Sequence, residues 1–432
     1  MSERRTGTGG YAKLLRTNRA FCLLWFAQIA SLFGDWFNII ASASLLAELT
    51  GAGAALGGLF AIRLLGAFVA SPLAGVLADR FNRKRILIFT DLLRAAVVLG
   101  FLLVRTPNQV WLLFGLTAVQ MGIGGVFSRV RVAILPEVAT RRMLGAANAL
   151  TAATWSTLLA VGAAIGGLFA GVFGIQAAFV VDAATYGLSA ILLARMPYAA
   201  PKRSGSADGQ PVRLASTARA GVSAYADGMR YLWRHQRVLA VALQKAFQML
   251  FFSGFQVASV AIAGTAFTVG QGGGISVGLL FAASGIGSGV SPVVARWLIG
   301  DNQRAMRLAM LAGYAAMIAA MALAAPLASF TMVMIGSALR GIGGGLIWVF
   351  STQLLLETLP EELRGRVIAT EHAVLTLLGA AGSAGVGVVL EWTSIPAALM
   401  IMAALAVAPT LHWAAVGVRG AAEPPTPANR RA

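Results

Sequence analysis

Gly75 to Arg85 reads GVLADRFNRKR, and five of these eleven residues are charged. Apolar runs flank the stretch on both sides, at about 53–78 and 85–104. The chain as a whole is 58% hydrophobic and only 12% charged, with a mean hydropathy of +0.77. A charged stretch set between two such runs is the connection between two membrane-spanning segments. That reading decides the fold.

The composition lies far above that of soluble domains, so lipid is the solvent. A spanning helix needs about 20 mostly apolar residues. A chain of 432 residues therefore has room for about a dozen with short loops. In hydrocarbon every backbone polar group must be satisfied internally, which leaves helices or a closed barrel. The apolar runs are continuous and lack the period-two alternation of a barrel, so helices are predicted. Spans are placed at 20–48, 53–78, 85–104, 109–133, 145–171, 175–195, 238–262, 275–299, 306–325, 330–354, 367–390 and 396–417. The single cysteine, Cys22, allows no internal disulfide. The first run is too long for a signal-peptide core and is read as a retained helix.

The formal charge of +18 is distributed by topology. No Lys or Arg occurs from Trp36 to Ile62, from Ala246 to Ala295, from Leu308 to Leu339 or from Val367 to Gly417. These intervals contain odd-numbered connections; Arg105 is the exception. The even connections carry Arg80, Arg83, Lys84 and Arg85, then Arg141 and Arg142, then Lys202 through Arg237, then Arg304 and Arg307, then Arg364 and Arg366. The positive-inside rule puts both termini and all even connections in the cytoplasm, at a cell (inner) membrane. Nucleic acid is not needed to explain the cations.

The two halves echo each other. GIGG at Gly122–Gly125 recurs at Gly341–Gly344, Ser71-Pro72 recurs at Ser291-Pro292, and Leu135-Pro136-Glu137 recurs at Leu359-Pro360-Glu361. The offsets are 219, 220 and 224. The expected organisation is a cytoplasmic segment 1–19, a six-helix half 20–196, and a linker 197–237 with a helix at the inner surface. A second six-helix half, 238–418, and a disordered tail, 419–432, complete it. Parallel repeats of this kind suit a transporter that rocks around a site at mid-membrane.

Twelve spans in two pseudo-symmetric halves, with GVLADRFNRKR between spans two and three, resemble the major facilitator superfamily. The superfamily's signature there is Gly-x-Leu-Ala-Asp-Arg-x-Gly-Arg-Lys. Gly75, Leu77, Ala78, Asp79, Arg80, Arg83 and Lys84 match it, and Asn82 replaces a Gly. Asn tolerates a left-handed backbone better than most residues, so the turn survives. The stretches FAQIASLFGDWFN, DLLRA, ILPE and ELRGRV are similar to those of its drug, macrolide and siderophore exporters. GAAIGG, Gly162 to Gly167, keeps the glycines of the antiporter pattern in span five and lacks its Pro. The resemblance covers nearly the whole chain.

Within the loop motif, Gly75 permits close helix approach. Asp79 stands where a carboxylate can meet a neighbouring helix N-terminus, which the resemblance places at span eleven. Arg83 can bridge to a carboxylate of the bundle. Gly75, Asp79 and Arg83 are thus expected to form a conformational latch. Arg80, Lys84 and Arg85 are read as topological anchors.

Charges inside spans cost at least ~2.5–3.5 kcal/mol each on insertion scales and tend to be functional. Asp35 and Arg63 each lie sixteen residues from a cytoplasmic marker, ~24 Å along a helix. They are the candidates for proton coupling; the alternative is a permanent structural ion pair between them. Asp91, Arg94, Arg129 and Arg131 are expected to form a shallower inner-gate network. Asp182 and Lys245 are further interior candidates, and His372 beside Glu371 is read as an ordinary polar residue near the surface. Trp36, Gln120, Tyr186, Gln244, Gln248, Arg340 and Trp348 are candidates for a substrate cavity, Arg340 for an anionic group.

The expected activity is proton-driven export of a bulky amphipathic compound by a monomer in the lipid bilayer. The alternatives are a lysolipid or glycolipid flippase, favoured by a wide lateral opening, and a metabolite uptake carrier, favoured by a compact polar pocket. No Gly-rich stretch ends in Gly-Lys-Ser/Thr, so no P-loop motor is encoded. The three histidines, His235, His372 and His412, form no paired motif, and no metal, cofactor or enzymatic constellation is expected.

Overall fold

The computed structural model describes residues 14–70, 74, 77–78, 80–140, 143–199 and 225–418. Gly75, Asp79, Arg141, Arg142, the 200–224 part of the linker, most of the N-terminal segment and the tail from 419 lie outside the described residues.

Twelve main helices follow one another: α1 (Arg19–Thr50), α2 (Gly53–Val69), α3 (Arg83–Gly100), α4 (Val110–Val138), α5 (Leu144–Phe173), α6 (Ile175–Ala194), α7 (Gln236–Thr265), α8 (Gly274–Ile299), α9 (Gln303–Ala324), α10 (Phe330–Thr358), α11 (Glu361–Trp392) and α12 (Ile395–His412). No β-strand occurs among the described residues. Eleven of the helices are long and apolar enough to cross a membrane; α2, described over 17 residues, is shorter. The chain is an all-α membrane protein of twelve helices in two pseudo-symmetric sets of six.

The helix ends follow local chemistry. Asn82, the departure from the Gly of the loop signature, caps α3 by accepting from the Arg85 amide. Asn302 caps α9 in the same way, accepting from the Ala305 amide. α11 begins at Glu361, earlier than the 367 expected, because Pro360 sits at its N-cap and Glu361 and Glu362 fill its first turn. Carboxylates there complement the helix dipole, so ELRGRV lies within the helix rather than before it.

The repeat is visible in contacts as well as in letters. Arg83 donates to Glu137 at 2.7 Å and to the Ala133 carbonyl at 2.6 Å, which ties the start of α3 to the end of α4. At positions 220 residues on, Gln303 donates to Glu357 at 2.8 Å and ties α9 to α10. The second half keeps the geometry and loses the charge.

The chain divides into two compact units: Met1–Gly51, Leu59–Gly221 and Ile262–Ala282 form one, and Ala52–Gly58, Val222–Ala261 and Ala283–Ala432 the other. Within the first, α5 meets the start of α8 through glycine. A Cβ on Gly167 would stand 2.5 Å from the Gly278 Cα, and one on Gly278 would stand 2.7 Å from the Gly167 Cα. Within the second, a Cβ on Gly57 of α2 would stand 2.9 Å from the Gly387 Cα of α11. Glu391 of α11 also accepts the Ala54 amide at the start of α2, at 2.8 Å. Both seams lie toward the cation-poor ends of these helices, where backbone-to-backbone packing replaces side chains.

Residues 225–234 form a short helix in the second unit, with Leu232 buried and Trp233 exposed. It docks on α11, where Thr370 donates to the Tyr225 carbonyl and Arg366 faces Asp227 at 3.7 Å.

Candidate functional site

α1 carries a polar stripe, Gln28, Ser31, Asp35 and Asn38, at spacings of three and four residues. That spacing places all four on one helix face. α6 carries another, Asp182, Tyr186 and Ser189, and α3 carries Asp91 and Arg94. In the first unit these stripes face one another.

Tyr186, fully buried, donates its hydroxyl to Asp35 at 2.5 Å and accepts from Gln120 at 3.2 Å. Arg94 pairs with Asp91 within α3 and donates to Ser31 at 3.1 Å. Its guanidinium lies between two rings, 4.3 Å from the centroid of Tyr186 and 4.4 Å from that of Phe127. Ser189 donates to the other oxygen of Asp91 at 2.6 Å. Asp182, also fully buried, makes no hydrogen bond of regular geometry on either oxygen; the Asn38 side chain and the charges of Asp35, Arg94 and Arg63 act on it. This is a continuous charged core, built by α1, α3 and α6 with Gln120 from α4.

Two expectations need correction. Asp35 and Arg63 are not an ion pair among the described residues. Arg63 donates instead to Asn38 at 3.0 Å, one turn further along α1, while Tyr186 takes up Asp35. A turn is only about 5.4 Å, finer than depth-counting along a sequence resolves. The gate network is also divided. Asp91 and Arg94 belong to the charged core; Arg131 donates separately to Gln28 at 2.8 Å; Arg129, two residues away on the opposite face of α4, is exposed.

The cavity candidates separate as well. Gln120 and Tyr186 join the core just described. Trp36 packs against Gly162, where a Cβ would stand 2.6 Å from its ring. Gln244 accepts from Tyr314 at 2.8 Å and gives its own amide hydrogen to Ala240, so its polar groups are used inside the second unit. In that unit Lys245 donates to Glu371 at 3.0 Å and lies 5.5 Å from the centroid of Trp348. Glu371, placed by the sequence near the start of span eleven, is buried and belongs to this pair. Gln248 is buried with its carbonyl oxygen unpartnered, and Arg340 stands over Phe252. Trp348 also lines a cavity of ≈ 610 Å³ with Arg296, Thr352, Gln353, Glu357 and Arg364. Among the described residues no cluster of His, Cys, Asp and Glu could hold a metal ion.

Sequence reasoning did not single out Ser31, Asn38, Ser189, Gln28 and Phe127. The signal for four of them was present as uncharged polar residues on the face of a charge in an otherwise apolar helix: Ser31 and Asn38 one turn from Asp35, Gln28 two turns from it, and Ser189 two turns from Asp182.

Twelve apolar helices in two related sets, with charged groups gathered in their interior, define a polytopic transporter. The profile of the Major Facilitator Superfamily matches residues 24–327, and the chain belongs to that superfamily. YfiS of Bacillus subtilis (strain 168), an uncharacterised MFS-type transporter, is 25% identical over 405 residues, which is 91% of this chain and 92% of YfiS. The multidrug efflux pump Tap of Mycobacterium tuberculosis (strain ATCC 25618 / H37Rv) is 28% identical over 218 residues, about half of each chain (49% and 50%). The putative bacilysin exporter BacE of Bacillus subtilis is 28% identical over 184 residues, 43% of this chain and 45% of BacE. Among solved structures, the nucleoside transporter NupG superposes with a TM-score of 0.67 at 14% identity, covering 92% of this chain and 98% of NupG. That likeness is one of fold. Members of the superfamily are transporters and not enzymes.

Proposed function

We propose that the protein is a secondary active transporter of the cell (inner) membrane, with both termini cytoplasmic. It exports a bulky amphipathic compound, such as a drug, macrolide or siderophore, by alternating access, as a monomer and in exchange for inward-moving protons. The carrying observation is the charged core of the first unit. Three carboxylates, Asp35, Asp91 and Asp182, share it with two guanidiniums, Arg63 and Arg94. Uncompensated charge in a low-dielectric interior is costly, so this set balances when one carboxyl holds a proton. Opening the core to water removes that requirement and releases the proton. Asp35, bonded to the Tyr186 hydroxyl, is the coupling residue, and Arg63 and Arg94 set the balance. The multidrug efflux pump and the putative bacilysin exporter among the relatives support the outward direction.

Gly75, Asp79 and Arg83 form the latch of the cytoplasmic side, supported by the Arg83–Glu137 bridge. Asp79→Ala is expected to raise labelling of cysteines placed in the cytoplasmic half; unchanged labelling removes the latch.

The test of coupling uses proteoliposomes with an acid interior and anilinonaphthalene sulfonate, an amphipathic organic anion, as the probe. Wild type is expected to accumulate the dye and Asp35→Asn to fail while remaining folded. Undiminished accumulation by Asp35→Asn would remove that residue from coupling.

A further inference from the structure

The buried charges of the second unit do not balance in the way those of the first do. Among its described residues three Lys, Arg, Asp or Glu side chains inside the helices are nearly fully buried: Lys245, Glu371 and Arg340. The first two neutralise each other. Arg340, only 2% exposed, forms no salt bridge among the described residues, and neither its Nε nor its Nη1 has a hydrogen-bond partner. Burying a guanidinium without a counter-charge is strongly unfavourable, and a fold does not retain one for stability.

Its surroundings describe what it lacks. The guanidinium lies 4.3 Å from the ring centroid of Phe252 and 5.4 Å from that of Phe255, both on α7. These contacts offset part of the cation's cost and supply no anion. Gln248, one turn before Phe252, brings its amide to α10 a turn beyond Arg340, where the bare backbone of Gly344 leaves it room. A Cβ on Gly344 would stand 2.8 Å from the Gln248 Nε2. A fork of N–H donors, an amide and two aromatic faces thus meet at one place. Two turns along α10, about 12 Å away, Trp348 lines the ≈ 610 Å³ cavity.

We propose that Arg340 binds an anionic group, a carboxylate or phosphate, on the transported amphipathic compound. Phe252 and Phe255 receive the adjoining apolar part, and the Gln248 amide completes the coordination. The inference rests on the transporter reading above and adds the chemical class of the cargo: an organic anion. Bidentate, charge-assisted donation from Arg suits a carboxylate or phosphate better than a halide.

The experiment is a binding titration in phosphatidylcholine nanodiscs without a pH gradient. The probes are dansylaminoundecanoate and its methyl amide, followed by dansyl fluorescence. Wild type is expected to bind the acid about 10-fold more tightly than the amide. Arg340→Met should bind both equally, and Arg340→Lys should keep part of the preference. Arg340→Met should also unfold at or above the wild-type temperature, since an unpaired charge is removed; a structural role would lower it. Wild type without an acid preference overturns the proposal, as does a preference that survives in Arg340→Met. Equal protection by inorganic phosphate against thermal unfolding would mark a free-anion site, and displacement of the acid by phosphatidylglycerol a lipid headgroup site. Either result overturns cargo recognition. Because no gradient is applied, failure here leaves proton coupling standing, and failure of gradient-driven transport leaves the binding result standing.

Discussion

Replacing Glu371 by Gln should cost far more stability than replacing Glu371 and Lys245 together. The pair is buried, with side chains 3% and 7% exposed, and its atoms are 3.0 Å apart. At an effective dielectric of about 20, two unit charges at that separation attract by about 5.5 kcal/mol, and much of this offsets their desolvation. Glu371→Gln leaves Lys245 buried with only the Trp348 ring as partner, worth roughly 0.5–2 kcal/mol. Breaking one side of such a pair costs roughly 3–5 kcal/mol. Lys245→Met with Glu371→Gln removes both charges and should cost only about 1–2 kcal/mol, the scale of a lost hydrogen bond. At about 2–4 °C per kcal/mol for a unit of this size, the single variant should unfold roughly 6–20 °C below wild type. The assay is thermal unfolding in nanodiscs followed by tryptophan fluorescence for all four members of the cycle. A double variant at least as unstable as Glu371→Gln would show that the buried pair is not coupled.

Three further outcomes are expected. Asp182→Asn removes a buried charge that makes no hydrogen bond of regular geometry and has no salt bridge among the described residues, so stability should hold or rise while proton-driven accumulation falls; a large loss of stability would show that Asp182 is structural. Gly278→Leu forces side-chain atoms into the backbone of Gly167 and should part α5 from α8. Cysteines placed near 171 and 275 should then label faster with a membrane-impermeant maleimide, and unchanged rates would show that the seam relaxes without opening. Glu137→Gln weakens a half-buried bridge to Arg83 and should cost about 1 kcal/mol, whereas Glu357→Gln, whose partner is the neutral Gln303, should cost less; equal losses by thermal unfolding would deny that the first-half bridge is charge-dependent.

The helices were legible because lipid imposes long apolar runs and the loops between them collect cations. The repeat was legible in GIGG and Leu-Pro-Glu, and the Asn82 and Asn302 caps carry it into the backbone. Within the site, the charged residues could be found because each is an exception in an apolar helix. Their pairing could not. Arg63 reaches Asn38 rather than Asp35 because rotation and one turn of axial shift decide contact, and neither is written in one helix alone. Glu371 looked like a residue near a helix start, but α11 begins ten residues before it at Glu361, which carries it inside. For Arg340 the sequence shows a cation at mid-span. That it lacks a carboxylate depends on what a neighbouring helix places around it, and α7 offers Phe252 and Phe255.

The carboxylate surplus of the first unit is proposed to carry the proton that drives transport, and proton movement can be measured itself. Purified protein in proteoliposomes is energised with an acid interior, and the internal pH is followed with an entrapped indicator while anilinonaphthalene sulfonate is added outside. Wild type should show a dye-dependent alkalinisation of the interior that disappears in the combined Asp35→Asn and Asp182→Asn variant. Alkalinisation of wild-type size in that variant, with the dye still accumulating, would show that these carboxylates do not carry the proton.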